Sequence, residues 1–373
     1  DDLTGEMKRL SVRAMHFRSV FMSTTAFAAS IALAIVLWRG GVITRDGVIL
    51  IGTLSVFMNY AQGMMEPVQW LVQVMSSLVN VQVNVERVTR LLETESDVSD
   101  TPEVTAKYGD AFHPKKENWE PLYGDIEFQD VTFRYPDGSE NVLEHFNLKV
   151  PQGTNVAIVG ETGAGKSTLV NLVCRFFEPT QGRILIDGRD ARERSQLWLH
   201  SNIGYVLQTP HLFSGTVLEN LRYGRPDATM DEIEAAVKTV SADQIIARLP
   251  DGYNTDIGEG GNTLSTGEKQ LLSFARALLA DPRIFVLDEA TSSVDTVTER
   301  LIQDAIEKVM AGRTSFIIAH RLSTIRRADV ILVVHDGKII ESGTHRSLMN
   351  AKGAYYQLYT HQYREEQTRS MMD

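Results

Sequence analysis

The stretch "GETGAGKST", residues 160–168, carries the pattern G-x-x-x-x-G-K-[ST]. It follows the apolar run "NVAIVG" at 155–160 and precedes "TLVNLVCRFF" at 168–177, whose apolar residues recur at helical spacing. A strand, a glycine-rich loop and a helix in this order form a phosphate-binding loop, because the glycines let backbone N–H groups converge on a phosphate. A chance glycine-rich turn is the alternative, and the flanking strand and helix argue against it. The stretch therefore predicts a P-loop nucleotide site in an α/β fold.

Every residue of this loop is a candidate ATP ligand. The set is Gly160, Glu161, Thr162, Gly163, Ala164, Gly165, Lys166, Ser167 and Thr168. Lys166 supplies a mobile positive charge for the β- and γ-phosphates, and the Ser167 hydroxyl is a candidate Mg²⁺ ligand. Tyr135, in "FRYP" at 133–136, precedes a turn and is a candidate to stack on the adenine. The expected cofactors are ATP and Mg²⁺.

Two other apolar runs end in side chains that suit the same chemistry. "RIFVLDEA" at 283–290 predicts a buried strand that ends at Asp288, where a carboxylate would hold Mg²⁺ through water. Glu289 is placed to orient or deprotonate the attacking water. Gln208 ends another predicted strand, and its amide can contact both Mg²⁺ and that water. A solvated acidic pair is the alternative interpretation of Asp288 and Glu289.

His320 ends a further apolar run, "TSFIIAH" at 314–320. Because the carboxyl ends of parallel strands share one edge of a sheet, a contact with the γ-phosphate is favoured there. The alternative is the packing role that a lone histidine usually has. The predicted catalytic residues are therefore Lys166, Glu289 and His320.

A second helix is predicted to begin with an open N-terminus in "GNTLSTGEKQLLSFARALL", residues 261–279. Ser265 occupies the position of a helix cap, and Thr266 and Gly267 leave the next backbone amides open. Such a helix start attracts an anion. Because the P-loop already offers one phosphate site, this helix raises the question of whose phosphate it would contact.

The composition of the chain excludes several classes of protein. A net charge of −11 over 373 residues argues against a nucleic-acid partner, because binding a phosphate backbone needs a basic face. Cys174 is the single cysteine, which excludes an internal disulfide and a cysteine metal cluster. It lies in an apolar helical pattern, so burial is expected rather than reactivity.

Two apolar runs without charge predict membrane helices at about 19–38 and 47–67. Basic residues flank the pair, so both ends are expected in the cytoplasm, although the short connection also carries arginine. Two buried helices of a soluble protein are the alternative. The second helix is predicted to continue to residue 94 with a kink at Pro67. Glu66 either marks the membrane edge or faces an inner cavity.

The remainder of the chain predicts a soluble α/β domain. Residues 95–122 are polar, contain three prolines and predict a linker. "DIEFQDVTFRYPDG" at 125–138 and "NVLEHFNLKV" at 141–150 alternate with period two, which predicts strands of an antiparallel β subdomain. Buried strands then alternate with helices, which predicts a mainly parallel sheet covered by helices. Residues 209–280 have little strand signal and predict a helical subdomain. Residues 364–373 are predicted to form a C-terminal tail.

In this order the motifs resemble the nucleotide-binding domain of the ATP-binding cassette (ABC) superfamily over residues 125–360. "LSTGEKQ" at 264–270 stands where the family has its signature, "TDIGEGG" at 255–261 resembles the stretch before it, and residues 293–295 match the D-loop. The resemblance implies that two such domains pair head to tail, each signature helix contacting the ATP held by the other P-loop. The residues implied in these contacts with the partner's ATP are Ser265, Thr266, Gly267, Glu268 and Asp295.

Two residues of the signature depart from the usual LSGGQ of the family. Thr266 replaces a glycine where backbone and nucleotide approach closely, and Glu268 replaces the glutamine. A negative charge near a triphosphate weakens binding if it faces inward. A heterodimer with unequal nucleotide sites is therefore favoured, and a homodimer whose signature tolerates both changes is the alternative.

The order of membrane helices followed by a nucleotide-binding domain resembles that of the exporter half-transporters, which carry six membrane helices. Residues 1–94 would supply the last two of these helices, and the first four are expected to be missing. The implied fold is an α/β P-loop NTPase, with a helical subdomain and an antiparallel β subdomain, preceded by all-α transmembrane helices. The implied function is outward transport of an amphipathic small-molecule or lipid substrate. The protein would be a multi-pass protein of the plasma or inner membrane, surrounded by membrane lipid, with residues 123–363 in the cytoplasm. A soluble ABC-type ATPase of DNA repair or chromosome maintenance and an importer ATPase are the alternatives.

Overall fold

The computed structural model describes residues 2–94, 96–288, 296–319 and 321–372. The chain divides into two compact units, Asp1–Glu95 and Ser96–Asp373. Apart from the connections at 46–50 and at Met64 and the end at Thr94, the described residues of the first unit are helical. Its helices are α1 (Asp2–Arg45), α2 (Ile51–Gly63) and α3 (Met65–Glu93).

One helix in the described part of the chain is long and apolar enough to cross a membrane, and it is the part of α1 from Ser19 to Arg45. Helix α2 packs against α1 at Gly40, where an added Cβ atom would overlap the Leu54 side chain. Helix α2 has 13 residues. At 1.5 Å per residue it spans about 20 Å, which is less than the ~30 Å hydrocarbon core of a bilayer.

The second predicted membrane helix, 47–67, differs from the structure at both ends. Helix α2 begins at Ile51, and it ends at Gly63 with the Met64 N–H bonded to the carbonyl oxygen of Tyr60. Helix α3 begins at Met65, so the helical run is interrupted at Met64, three residues before Pro67. A proline cannot donate to the carbonyl oxygen four residues earlier, here that of Gly63, and its ring clashes with that carbonyl, so the interruption lies where Pro67 is expected to break the helix.

The second unit contains two β-sheets in the residues that the structure describes. The strands are β1 (Ile126–Phe133), β2 (Leu143–Val150), β3 (Asn155–Val159), β4 (Gln181–Ile186), β5 (Arg189–Asp190), β6 (Ile203–Val206), β7 (Ile284–Asp288), β8 (Thr314–Ile318), β9 (Val330–His335) and β10 (Lys338–Gly343). One sheet is antiparallel with the order β2-β1-β4-β5, and the other has the order β10-β9-β3-β8-β7-β6. In the larger sheet β10 is antiparallel to β9 and the other pairs are parallel. The predicted α/β fold is confirmed.

Beside its sheets the second unit contains the following helices in its described residues, several of which pack on the six-stranded sheet. They are α4 (Pro102–Tyr108), α5 (Lys166–Val173), α6 (Gln196–Ser201), α7 (Val217–Arg222), α8 (Met230–Thr239), α9 (Asp243–Ile246), α10 (Thr266–Leu279), α11 (Thr296–Met310), α12 (Leu322–Arg327), α13 (His345–Ala351) and α14 (Ala354–Met372). Alternate residues of β3 face different hydrophobic clusters. Val156 and Ile158 pack with the antiparallel sheet and α5, whereas Ala157 and Val159 pack with α10 and α11. Burial on both faces explains the almost continuous apolar runs in these strands.

The register of the parallel strands brings their carboxyl ends to one edge. Ile158 of β3 lies opposite Ile318 of β8, and Ile318 lies opposite Asp288 of β7. Leu287 in turn lies opposite Val206 of β6. The carboxyl ends of β3, β8, β7 and β6 therefore lie along the same edge of the sheet, where open α/β sheets bind ligands.

Residues 207–283 form the helices α7 to α10, with an isolated bridge between Thr216 and Asp256. Three of these helices begin with a capping box, in which the cap hydroxyl and a glutamate three residues later each accept a hydrogen bond from the other's backbone N–H. The pairs are Thr216–Glu219, Thr229–Glu232 and Ser265–Glu268. These local bonds define where each helix begins.

The segment predicted as a linker, 95–122, is folded into the second unit from Ser96 onward. Val104 and Tyr108 of α4 are buried, and the Trp198 indole Nε1 donates to the carbonyl oxygen of Glu120 at 2.8 Å. The segment is polar in composition, but its few apolar side chains find partners in the core. It is therefore packed structure rather than an extended linker.

Arg175, just after the end of α5, joins this segment to the rest of the unit. Its side chain is 3% exposed, and Nη1 donates to Oδ1 of Asp100 and to the carbonyl oxygen of Arg194, both at 2.8 Å. Nη2 lies 2.9 Å from Oε1 of Glu178. The Asp100 carboxylate also accepts the backbone N–H of Gln196 at the start of α6. A buried cation with two carboxylates thus connects α5, α6 and the segment before α4.

Candidate nucleotide site

The loop between β3 and α5 depends on glycine at two kinds of position. At Gly160 an added Cβ atom would overlap the carbonyl oxygen of Val334 in β9, so only glycine lets the loop leave β3 this close to the next strand. Gly163 and Gly165 have φ of 85° and 98°, in the left-handed region that favours glycine. The Ala164 N–H donates to the Glu161 carbonyl oxygen at 3.2 Å. The loop is therefore a tight turn whose shape the sequence fixes locally.

Helix α5 begins directly at the end of this loop and has no side-chain cap. Its cap residue is Gly165, which offers no side chain, so the first backbone amides of the helix are not satisfied by a capping group. The Ser167 hydroxyl lies beside them and is exposed. An uncapped helix start with a neighbouring hydroxyl suits a phosphate oxygen and a cation bound to it.

The Lys166 side chain is enclosed by the loop that it follows. The residue is 8% exposed, and Nζ donates to the carbonyl oxygens of Gly160 at 2.8 Å and Glu161 at 2.7 Å. Burial lowers the pKa of Lys166, and the negative charge of Asp288 acts in the opposite direction. A partly desolvated ammonium with uncharged partners gains from the arrival of an anion, and this fits a polyphosphate at the loop.

Tyr135 lies beside the start of α5. Its hydroxyl is 2.9 Å from Oγ1 of Thr168, and its ring makes edge contacts with Phe133 and Phe177. The ring is half-buried, so one part of it stays accessible next to the P-loop. Its placement is compatible with the predicted stacking on a base.

Asp288 and Gln208 lie at the carboxyl edge of the sheet, where the register places the ends of β7 and β6. Asp288 is half-buried and interacts electrostatically with Lys166, whereas Gln208 is exposed. Burial raises the pKa of the neighbouring Tyr205 to about 12, with a further contribution from Asp288. The structure thus brings Lys166 and Asp288 together. Glu289, Asp295 and His320 lie outside the described residues.

The start of α10 differs from that of α5 because its own side chains cap it. Ser265 is the cap residue, as expected, and its Oγ accepts the backbone N–H of Glu268 at 3.3 Å. One carboxylate oxygen of Glu268 accepts the Ser265 N–H at 2.9 Å, and the other lies 3.0 Å from Nη2 of Arg248. Ser265 and Thr266 are exposed, whereas Gly267 is buried.

Sequence reasoning missed two arginines that bear on the site. The capping-box pattern S-x-x-E at 265–268 is readable in the sequence, but no local pattern assigns Arg248, 20 residues earlier, to Glu268. Arg175 likewise carries no local signal for its pairing with Asp100. The expectation for Cys174 is confirmed, since the thiol is buried and burial raises its pKa to about 12.

The mixed α/β sheet with a glycine-rich loop between β3 and an uncapped helix defines a nucleotide-binding protein of the P-loop class. The ABC transporter family matches residues 143–292. The chain is 45% identical over 325 residues, 87% of its length and 52% of the relative's, to the uncharacterized ABC transporter ATP-binding protein YfiC of Bacillus subtilis. It belongs to the ABC transporter family.

Two further matches extend beyond the nucleotide-binding unit. A fatty acid ABC transporter ATP-binding/permease protein of Mycobacterium tuberculosis is 42% identical over 96% of this chain and 54% of its own length. The solved structure of a bacterial Atm1-family ABC exporter with ATP bound has a TM-score of 0.67 and 34% identity, over 91% of this chain and 56% of that one. The chain therefore spans about half the length of the curated relatives that it matches. As an ABC ATP-binding protein it binds ATP.

Proposed function

We propose that this chain is a subunit of an ATP-driven membrane exporter. The observation that carries the proposal is the continuity of the match to a relative named ATP-binding/permease protein. It spans 357 residues, 96% of this chain, and so includes most of the helical first unit as well as the nucleotide-binding unit. Residues 1–94 would be the last part of a membrane domain with two membrane helices, and residues 123–363 the cytoplasmic nucleotide-binding domain of a multi-pass protein. The predicted helical subdomain, about 209–280, and the tail at 364–373 are part of this proposal.

The geometry of the P-loop supports the nucleotide roles that we propose. The amides of residues 160–168 would bind the phosphates, Lys166 would turn from the loop carbonyls to the β- and γ-phosphates, and Tyr135 would contact the adenine. Ser167, Gln208 and Asp288 would hold Mg²⁺, which neutralises phosphate charge when bound. The fit rests on the donor set, because a hydroxyl at the start of α5 and carboxylate and amide oxygens at the carboxyl ends of β7 and β6 are the oxygen ligands that Mg²⁺ prefers.

Hydrolysis is assigned to residues that follow the same sheet edge. Glu289 would orient the attacking water and accept its proton, and His320 would contact the γ-phosphate. Both follow strands whose ends lie level with the P-loop strand. Lys166 would stabilise the charge that develops on the transferred phosphoryl group.

Export also needs a second half-transporter, whose P-loop nucleotide would meet Ser265, Thr266, Gly267, Glu268 and Asp295 of this chain. We favour a heterodimer because Thr266 and Glu268 depart from the usual signature. A homodimer is the second candidate, and the observation that favours it is the pairing of Glu268 with Arg248, which offsets the extra charge. Cooperative ATP hydrolysis and transport by the purified full-length protein alone would establish the homodimer.

The substrate class is proposed from the names of the relatives. They include a fatty acid transporter, a probable multidrug resistance transporter of Bacillus subtilis and a lipid A-core flippase of Desulfotalea psychrophila. These names support an amphipathic small molecule or lipid, moved outward across a plasma or inner membrane. They do not favour the soluble DNA-repair or the importer alternatives.

The Glu289→Gln variant of the full-length protein in lipid vesicles tests this function. We expect it to bind ATP, to keep the two nucleotide-binding domains closed and to lose steady-state hydrolysis, because the amide cannot accept a proton from water. Cross-linking of the two domains and phosphate release are the measurements, and Glu117→Gln, at an exposed residue, is the matched control. Hydrolysis at the wild-type rate in Glu289→Gln would contradict the assignment.

A further inference from the structure

The signature glutamate has both carboxylate oxygens engaged inside its own subunit. One oxygen accepts the Ser265 N–H at 2.9 Å and the other pairs with Nη2 of Arg248 at 3.0 Å. Arg248 follows α9, and its Nε also donates to the Gln244 carbonyl oxygen at 3.2 Å, which directs the guanidinium toward α10. The carboxylate is thus held beside the helix start rather than free to rotate.

The exposed residues at the start of α10 define the surface that a nucleotide would meet. Ser265 and Thr266 are exposed, while Glu268 retains 23% exposure of its side chain. The Ser265 oxygen accepts a hydrogen bond from within the helix, so its hydroxyl proton stays available to an incoming phosphate oxygen. An unpaired Glu268 carboxylate in the first turn of α10 would oppose the attraction of the helix start for an anion, whereas a carboxylate paired with a cation largely does not.

The ion pair contributes little to the stability of the fold. Arg248 is 70% exposed in its side chain, and exposed pairs are screened by water and salt. The ion pair matters more for a ligand that carries several negative charges, because each charge of the ligand interacts with both the Glu268 carboxylate and the Arg248 guanidinium. The effect of Arg248 is therefore expected in nucleotide affinity rather than in folding.

We propose that Arg248 is a positioning residue for the nucleotide that is bound between this chain and its partner. It holds Glu268 in the capping box and neutralises it, so that a signature with glutamate in place of glutamine still accepts a triphosphate. The proposal rests on the proposed function, in which Ser265 and its neighbours contact the partner's ATP. Arg248 itself touches neither ATP nor water in the reaction.

A double-mutant cycle on the assembled dimer tests this role. Arg248→Ala is expected to raise the KM for ATP roughly threefold to tenfold at low ionic strength and less at physiological salt, with kcat unchanged. In the Glu268→Gln background the same substitution should raise the KM clearly less, because only the guanidinium's own attraction for the nucleotide is then lost and no carboxylate is left unpaired. Arg248→Lys should restore most of the affinity. Lys238→Ala, which removes another exposed cation that lies near a glutamate, Glu234, is the matched control.

Two results would overturn the proposal. One is an equal rise in KM for Arg248→Ala with Glu268 and with Gln at position 268, and the other is no rise at all. Parallel measurements on Lys166→Ala and Glu289→Gln separate this failure from that of the proposed function. If those two variants bind and hydrolyse ATP like the wild type, the nucleotide assignment itself fails, whatever Arg248 does.

Discussion

The starts of α5 and α10 meet the same physical problem in opposite ways. Every helix leaves its first backbone amides without partners in the helix. Helix α5 begins at Gly165 with no side-chain cap, whereas α10 satisfies two amides through Ser265 and Glu268. The difference indicates that the two helix starts have different roles. The open start is suited to hold a phosphate within its own chain, and the self-capped start is stable without a ligand and presents a hydroxyl outward.

The two helices also differ in how their surroundings support them. Helix α5 has eight residues and is anchored at its far end by Arg175 and by His200, whereas α10 has fourteen residues and a buried apolar face. A short helix with an uncapped start needs such an anchor, because isolated helices of this length are not stable in water. Substitutions at each end of α5 and at the start of α10 test this comparison.

Removal of the anchor of α5 is expected to have the largest effect. Arg175→Ala leaves Asp100 and Glu178 without their buried cation and should cost about 3–5 kcal/mol of unfolding free energy. Thermal unfolding and hydrogen exchange of residues 166–173 are the measurements, and Arg346→Ala, at an exposed arginine, is the control. An unchanged melting temperature would mean that α5 does not depend on its far end.

Lys166→Ala removes the cation from the open start. We expect ATP affinity to fall about a hundredfold, since charge-assisted hydrogen bonds to phosphate contribute about 2–3 kcal/mol. Fold stability should change little, because the two hydrogen bonds of the lysine go to carbonyl oxygens of its own loop. Equilibrium binding of a fluorescent ATP analogue measures the change, and Lys308→Ala, on the exposed face of α11, is the control. ATP binding as tight as that of the wild type would contradict the role of Lys166.

Ser265→Ala removes the cap of α10 and is expected to cost about 1 kcal/mol of stability. Thr229→Ala removes the equivalent cap of α8 and should cost a similar amount. The two variants should differ in function, because only Ser265 is proposed to meet a nucleotide. Melting temperatures and the KM for ATP of the dimer, measured together, distinguish capping from binding. Equal KM values in both variants would limit Ser265 to a structural role.

The smallest expected effect is a pH dependence at the end of α5. Burial lowers the pKa of His200, whose Nε2 lies 2.8 Å from the Cys174 carbonyl oxygen, although that hydrogen bond acts in the opposite direction. The unfolded chain therefore binds the proton first as pH falls through about 6.5, so stability is lost below that pH. The melting temperature of the wild type should drop by about 1–2 °C more than that of His200→Gln between pH 7.5 and 5.5. If the melting temperatures of the wild type and His200→Gln fall equally between pH 7.5 and 5.5, His200 makes no such contribution to the pH dependence.

The features that sequence reasoning found are those written in consecutive residues. The P-loop, the apolar strands and the capping residue Ser265 each depend on neighbours along the chain, and the structure has them where they were expected. The interruption at Met64 also follows from a local signal, because Pro67 cannot donate to the carbonyl oxygen of Gly63, four residues earlier. Asp100, one of the two carboxylate partners of Arg175, lies 75 residues away from it, and Glu268 lies 20 residues from Arg248, so no local pattern could reveal these two pairings.

The burial of Arg175 has a practical consequence for the construction of hybrid transporters in which nucleotide-binding domains are exchanged. A hybrid joined just ahead of β1 would take its Arg175 from one parent and the acidic partner at position 100 from the other. Unless both parents keep that pair, the hybrid would place an unmatched charge in the interior and misfold for a reason unrelated to transport. Junctions placed before Ser96 avoid this fault, because they carry Asp100 and the arginine together.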